Sequence, residues 1–185
     1  QVQMLVQLGE YPQAETWSKK ALEIFPQHPE LLAAQAQAHC RMGSLPEALA
    51  LSDASLSRPG ESAYRWLVRG EIVLAQRARG DDHCLDKACA IDRDWIVPLE
   101  AATACLFHDA PAKALARAQT AVERAPGVPR PWYVQGLCQR KLGMEAPARK
   151  SFARVLELSP QHADARARLA EKGRGGWLGR LFSSR

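Results

Sequence analysis

The chain has 185 residues, 46% of them hydrophobic and only 6% aromatic, with a formal net charge of +5. That apolar content supplies a core and excludes a disordered chain, while the abundance of Ala, Leu, Gln, Glu and Arg over β-branched and aromatic residues favours helices over sheet. The charge is polarised: from Gln139 onward eleven Lys or Arg face four acids, a balance of +7, against −2 for everything before.

Five cysteines, Cys40, Cys84, Cys89, Cys105 and Cys138, contain no CxxC pair. They match neither a disulfide framework nor a zinc ribbon and point to a reducing compartment. No run approaches the roughly 20 apolar residues of a bilayer span, and no secretory leader is visible. The expected location is cytoplasmic. Periplasmic or membrane-associated placement stays open, because the chain starts at Gln1 and an upstream region is expected to be missing.

In chain order, the elements repeat with a period close to 34 residues. Residues 1–28 open partway along a first helix and continue as LGEYPQAETWSKKALEIFPQH, an amphipathic second helix. Residues 29–62 hold a complete unit whose second helix lies in MGSLPEALALSDASLSRPGE. Residues 63–94 begin with a good first helix, SAYRWLVRGEIVLAQ, but the following RARGDDHCLDKACAIDRDW is two residues short and places acids where an alanine is expected. Residues 95–128 and 129–162 restore the pattern with DAPAKALARAQTAVERAPG and LGMEAPARKSFARVLELSPQH. Residues 163–173 read as a single capping helix, and 174–185 as a basic amphipathic tail.

Small residues recur in register. On the second helices one column reads Ala14, Ala48, Ala114 and Ala148, and another Ala21, Ser55, Ala88, Ala121 and Val155; on the first helices a third reads Val2, Ala36, Gly70, Ala102 and Gly136. Such columns let two antiparallel helices approach closely, with Leu32, Trp66 and Trp132 filling the space between. Gly9, Gly43 and Gly143 mark the turns inside the units, and Pro26, Pro59, Pro126 and Pro160 close the second helices.

In period and in these columns the chain resembles the tetratricopeptide repeat family over about residues 1–172. Residues 131–160 match best, with Trp132, Gly136, Gly143, Ala148, Phe152 and Pro160 in family places. The resemblance implies an all-α, right-handed superhelical solenoid of antiparallel helix pairs with a C-terminal capping helix, whose first helices line a concave groove. Placed on that scheme, the groove face reads Glu30, Ala33, Ala34, Gln37 and Arg41; Tyr64, Leu67, Val68, Glu71 and Leu74; Ile96, Leu99, Glu100, Thr103, Leu106 and Phe107; then Arg130, Tyr133, Val134, Leu137, Arg140 and Lys141. Partner binding is expected at Tyr64, Leu67, Glu71, Leu99, Thr103, Leu106, Phe107, Arg130, Tyr133, Leu137, Arg140 and Lys141. The stripe is apolar in the middle and basic at the far end.

The implied function is a protein-interaction scaffold, part of a larger protein or assembly. Its partner is a peptide or domain with apolar anchors and an acidic flank. One subclass of the family clamps a terminal carboxylate with Lys, Arg and two Asn side chains, and this chain contains no Asn. DDHCLDKAC, residues 81–89, gathers donor types suited to a metal, but adjacent His83 and Cys84 point apart on a helix, so no metal site is expected. No phosphate loop, nucleophile elbow or HExxH is present, and neither an enzyme nor a cofactor is expected. The basic residues after Gln139 spread over several faces, which argues against nucleic acid.

The tail RGGWLGRLFSSR places Trp177, Leu178, Leu181 and Phe182 on one helical face beside Arg174, Arg180 and Arg185. No repeat column requires these apolar residues. Three docking surfaces are open to them: the array's own end, a groove in the same or a second copy, giving self-association, or an anionic membrane surface, which would make the protein a peripheral membrane adaptor.

Overall fold

The structure, a computed structural model, describes residues 2–77 and 79–171, so the tail expectations at Trp177, Leu178, Leu181 and Phe182 lie outside the described residues. Eleven helices follow one another among them: α1 (Val2–Gln7), α2 (Tyr11–Ile24), α3 (Pro29–Met42), α4 (Leu45–Leu56), α5 (Ala63–Ala75), α6 (Asp81–Ile91), α7 (Ile96–Phe107), α8 (Pro111–Arg124), α9 (Pro129–Lys141), α10 (Glu145–Leu158) and α11 (Ala163–Ala170). Neighbours pair as α1/α2, α3/α4, α5/α6, α7/α8 and α9/α10, and each second helix also packs on the first helix of the next pair. First helices stack on one another as α1, α3, α5, α7 and α9, forming the inner layer of a helical solenoid. No helix among the described residues is long and apolar enough to cross a membrane.

The small-residue columns form the seam between layers. Ala14, Ala36, Ala48, Ala88, Ala102, Ala114 and Ala121 are fully buried. Where the column carries glycine the approach is tightest. A Cβ on Gly136 would fall 2.6 Å from Phe152 Cε1, and one on Gly70 2.7 Å from Leu85 Cδ2. Large side chains thus complement the missing ones across each pair, as close packing requires.

The turns inside the pairs share one backbone conformation. Gly9, Gly43 and Gly143 adopt φ of 82°, 89° and 75°, and the equivalent positions in the two units without glycine, Arg77 and Asp109, adopt 53° and 57°. At four of these turns the following amide reaches five residues back: Glu10 to the Leu5 carbonyl, Ser44 to His39, Ala110 to Cys105 and Met144 to Gln139. This is the six-to-one bond that ends a helix in the left-handed region. The repeat imposes the turn geometry even where the residue type resists it.

Two polar residues are buried for structural reasons. Arg65, 3% exposed, donates from Nη1 to the Gly60 carbonyl at 2.6 Å and from Nη2 to the carbonyls of Arg58, at 2.9 Å, and Ser55, so its guanidinium caps the C-terminal end of α4. In the irregular third unit, Asp81, 4% exposed, opens α6 and pairs with Lys113 of α8. Lys113 also reaches Asp82 at 3.0 Å, and Arg117 pairs with Asp86. Acids in the alanine column are therefore answered by cations one helix pair later.

Two substitutions test this packing by thermal or chemical unfolding. Arg77→Gly should stabilise the protein by about 1 kcal/mol, since the left-handed conformation costs a non-glycine residue about 1–2 kcal/mol and glycine's added unfolded-state entropy offsets part of the gain. Gly136→Ala should destabilise by about 1–3 kcal/mol through overpacking against Phe152, despite alanine's higher helix propensity.

Candidate binding groove

The inner helices converge on Glu71, whose side chain is wholly buried in α5. Arg41 donates from Nε to Oε1 at 2.7 Å, and Gln37 from Nε2 to Oε2 at 2.7 Å. His108 Nε2 lies 3.4 Å from Oε1, and Tyr64 donates its hydroxyl proton to Gln37 Oε1 at 2.8 Å. Burial alone would raise the Glu71 carboxyl; the hydrogen bond from His108 and the charge and hydrogen bonds of Arg41 and Gln37 outweigh it and hold the group below its ordinary value. A buried carboxylate persists because each oxygen is satisfied.

Arg41 then carries the network to the surface. Its guanidinium lies 5.1 Å from the Phe107 ring and 6.0 Å from the Tyr11 ring, and the two rings meet edge-on at 6.2 Å. Gln7 Nε2 donates to Glu100 Oε1 at 2.8 Å, joining residues 93 positions apart. Superhelical curvature thereby brings the first helix pair against α7 across the concave side. The groove narrows to a cavity of about 140 Å³ lined by Gln3, Gln7, Gln37, Arg41, Tyr64, Glu100, Thr103 and Arg130.

The cavity is polar. Burial pushes the Glu100 carboxyl above its ordinary value, against the pull of Arg130, Arg41 and Gln7. Arg130 is exposed at the rim and has no ion-pair partner among the described residues. Amides, a phenol, a threonine hydroxyl and one uncommitted guanidinium can hydrogen-bond an extended backbone and an acidic side chain.

The residues expected to bind a partner fall into three groups. Tyr64, Thr103 and Arg130 line the cavity, and Phe107, 48% exposed, packs against the guanidinium of Arg41, which also lines it. Leu106, Tyr133, Leu137, Arg140 and Lys141 lie outside it. Lys141 pairs with Asp109 at 2.8 Å, Arg140 pairs with Glu171, and Tyr133 packs 4.9 Å from His162 and 5.8 Å from Phe152. Leu67 and Leu99, 2% and 1% exposed, are core side chains, and Glu71 sits beneath the surface. Of the apolar middle stripe, Leu67 and Leu99 are thus withdrawn from the surface while Ile96 and Phe107 remain exposed, and the cavity itself has a polar lining. In the register of Ala36, Gly70, Ala102 and Gly136, Leu67 and Leu99 share one column with Ala33 and Tyr133, and the first three of these positions are buried.

Gln3, Gln7, Tyr11 and His108 escaped the sequence reading. Their roles depend on contacts across the curved array, for which a linear pattern carries no signal. Cys40 Sγ lies 4.0 Å from His108 Nε2, and the same nitrogen faces Glu71. This is not a nucleophile's arrangement, because one nitrogen serves both neighbours and burial pushes the Cys40 thiol up to about 12.

A family model for the tetratricopeptide repeat matches residues 129–162. No curated protein matches the chain in sequence. Among solved structures, TTC0263, a thermophilic TPR protein of Thermus thermophilus, superposes with a TM-score of 0.68 at 22% identity, covering 91% of this chain and 93% of that one. A TPR protein from Parabacteroides merdae gives 0.64 at 15% identity, covering 91% and 66%. YrrB, described as a TPR protein with an unusual peptide-binding site, gives 0.54 at 15% identity, covering 90% and 87%. With a matched repeat at 129–162 and the shared helix-pair architecture across 91% of its length, the chain has the tetratricopeptide-repeat fold.

Proposed function

We propose that the chain is a protein-interaction scaffold whose concave groove holds an extended peptide segment of a partner, with an acidic side chain at Arg130 and an apolar one over Phe107. The observation that carries this reading is the polar cavity built by α1, α3, α5, α7 and α9, whose one exposed cation lacks a partner among the described residues. A bound strand would satisfy its backbone on Gln3, Gln7, Gln37 and Thr103, and Gln37 is already held in place through Glu71 and Tyr64. The peptide-binding site of YrrB, a protein of the same architecture, supports the reading.

Selection of a displayed random-peptide library on the immobilised protein tests it. Peptides pairing an acid with a large apolar residue should be enriched, and Arg130→Glu should weaken their binding by about tenfold or more, a loss of at least about 1.4 kcal/mol. Enriched peptides that bind Arg130→Glu as tightly as the unsubstituted protein would sink the proposal.

The groove should also be acid-sensitive. Glu71 is held below its ordinary value of 4.5, so its stabilising effect is complete above that value and lost as pH falls through the lower folded value. Glu100 is raised, so its protonation acts in the opposite direction and does not account for an acid loss. Peptide binding and near-ultraviolet circular dichroism should therefore both decline below about pH 4.5. Glu71→Gln should cost about 2–4 kcal/mol at neutral pH, because Arg41 loses its buried counter-charge, and should flatten the acid limb of the stability profile.

A further inference from the structure

Helix packing joins the first pair to α3, and joins α7 to α5, α6, α8 and α9. Between the first pair and α7, on opposite walls of the groove, the contact is made by side-chain tips. Gln7 Nε2 donates to Glu100 Oε1 at 2.8 Å, and the Tyr11 and Phe107 rings meet edge-on with centroids 6.2 Å apart. Arg41 lies 6.0 Å from the first ring and 5.1 Å from the second, and its bond to buried Glu71 holds it there. The two walls are thus bridged twice.

These bridges are weak beside the seams of the helix pairs. The Gln7–Glu100 bond is exposed to solvent, and such a bond or an edge-on aromatic pair shifts an equilibrium by about two- to tenfold. In a stack where each pair touches its neighbours, small changes at every step add up to a large change of curvature. Breaking two tip contacts therefore frees the array to unbend while every buried seam stays intact.

Closed in this way, the groove is too small for a partner segment. Its cavity is about 140 Å³, whereas sites that enclose even a small molecule run to about 300–1,000 Å³. The side chains that close it are also ones a partner needs. Gln7 spends its amide on Glu100, and Phe107 its ring on Tyr11 and Arg41.

We propose that the Gln7–Glu100 and Tyr11–Phe107 contacts form a clasp that shuts the groove of the partner-free chain, so that a peptide enters only after the array unbends and the clasp opens. The inference rests on the groove being the peptide site. A partner then binds with its intrinsic affinity reduced by the fraction of chains that stand open, so weakening the clasp strengthens binding. A contact that merely braced the fold would have no such effect.

Small-angle X-ray scattering of the partner-free chain at about pH 8, well above the carboxylate range, tests the closure. Gln7→Glu sets a second carboxylate against Glu100 and should raise the radius of gyration. Adding Glu100→Gln to that variant exchanges donor and acceptor and should restore the compact value. Tyr11→Leu, which keeps an apolar side chain against the core of the first pair and lies outside the cavity lining, should also expand the array. It should bind library-selected peptides about threefold or more tighter, the opposite sign to Arg130→Glu. Gln7→Cys with Glu100→Cys, joined by a short bifunctional thiol reagent, should lose peptide binding by about tenfold or more relative to the same variant left unjoined. The five native cysteines are buried. Gln7→Glu and Tyr11→Leu variants as compact as the unsubstituted chain overturn the proposal, as does a lowered melting temperature with unchanged scattering and binding. So does a joined variant that binds peptides as tightly as the unjoined one. A library that yields no peptide defeats the groove reading alone, because scattering decides the clasp without a partner.

Discussion

The close approach of the two helices in each pair is the constraint from which the other features follow. Where Gly70 faces Leu85 and Gly136 faces Phe152 there is no room for even one methyl group, and most of the remaining seam is buried alanine. Small residues on one side and large ones on the other fix the distance and tilt between layers. Repeated every 34 residues, or 32 across the third unit, that geometry accumulates as curvature. Curvature in turn carries Gln7 to Glu100 and Tyr11 to Phe107, contacts that no single repeat could make.

The buried charge at Glu71 is intelligible only within that curved frame. Gln37 and Glu71 occupy the same column one period apart, so the amide of one unit meets the carboxylate of the next. Arg41 follows Gln37 by one helical turn and supplies the counter-charge. Desolvating a carboxylate this completely costs several kcal/mol unless its partners are already in place. The helix stack holds them there, and the network then fixes the walls of the cavity. Fold and groove are thus coupled through one residue.

The local part of this structure was legible in the sequence, and the non-local part was not. Small-residue columns and glycine turns are set by contacts within one helix pair, so a period of 34 exposes them directly. Arg77 and Asp109 were invisible as left-handed residues, because the turn they adopt is imposed by the flanking helices against their own preference. Arg65 carries no signal in the sequence, because its role depends on the carbonyls of Ser55, Arg58 and Gly60 converging around it. Leu67 and Leu99 were placed on the groove because a 3.6-residue period assigns a face only to within about one position. A shift of one position separates the lining of a groove from the seam beneath it.

Uneven finishing of the two ends is the last consequence of building by repetition. An internal pair is covered on both sides, so its columns can remain apolar throughout. In the last pair Gln135, whose equivalents are Gln35, Arg69 and Ala101, lies beside Ser151, which donates to Gln139. In the first pair α1 begins at Val2, so Ala21 is only half-buried where its equivalents Ser55, Ala121 and Val155 are sealed beneath a longer first helix, and Trp17, Ile24 and Phe25 are exposed beside it. The cover of an end pair is thus set by what precedes or follows it in the stack and not by the columns of the pair itself.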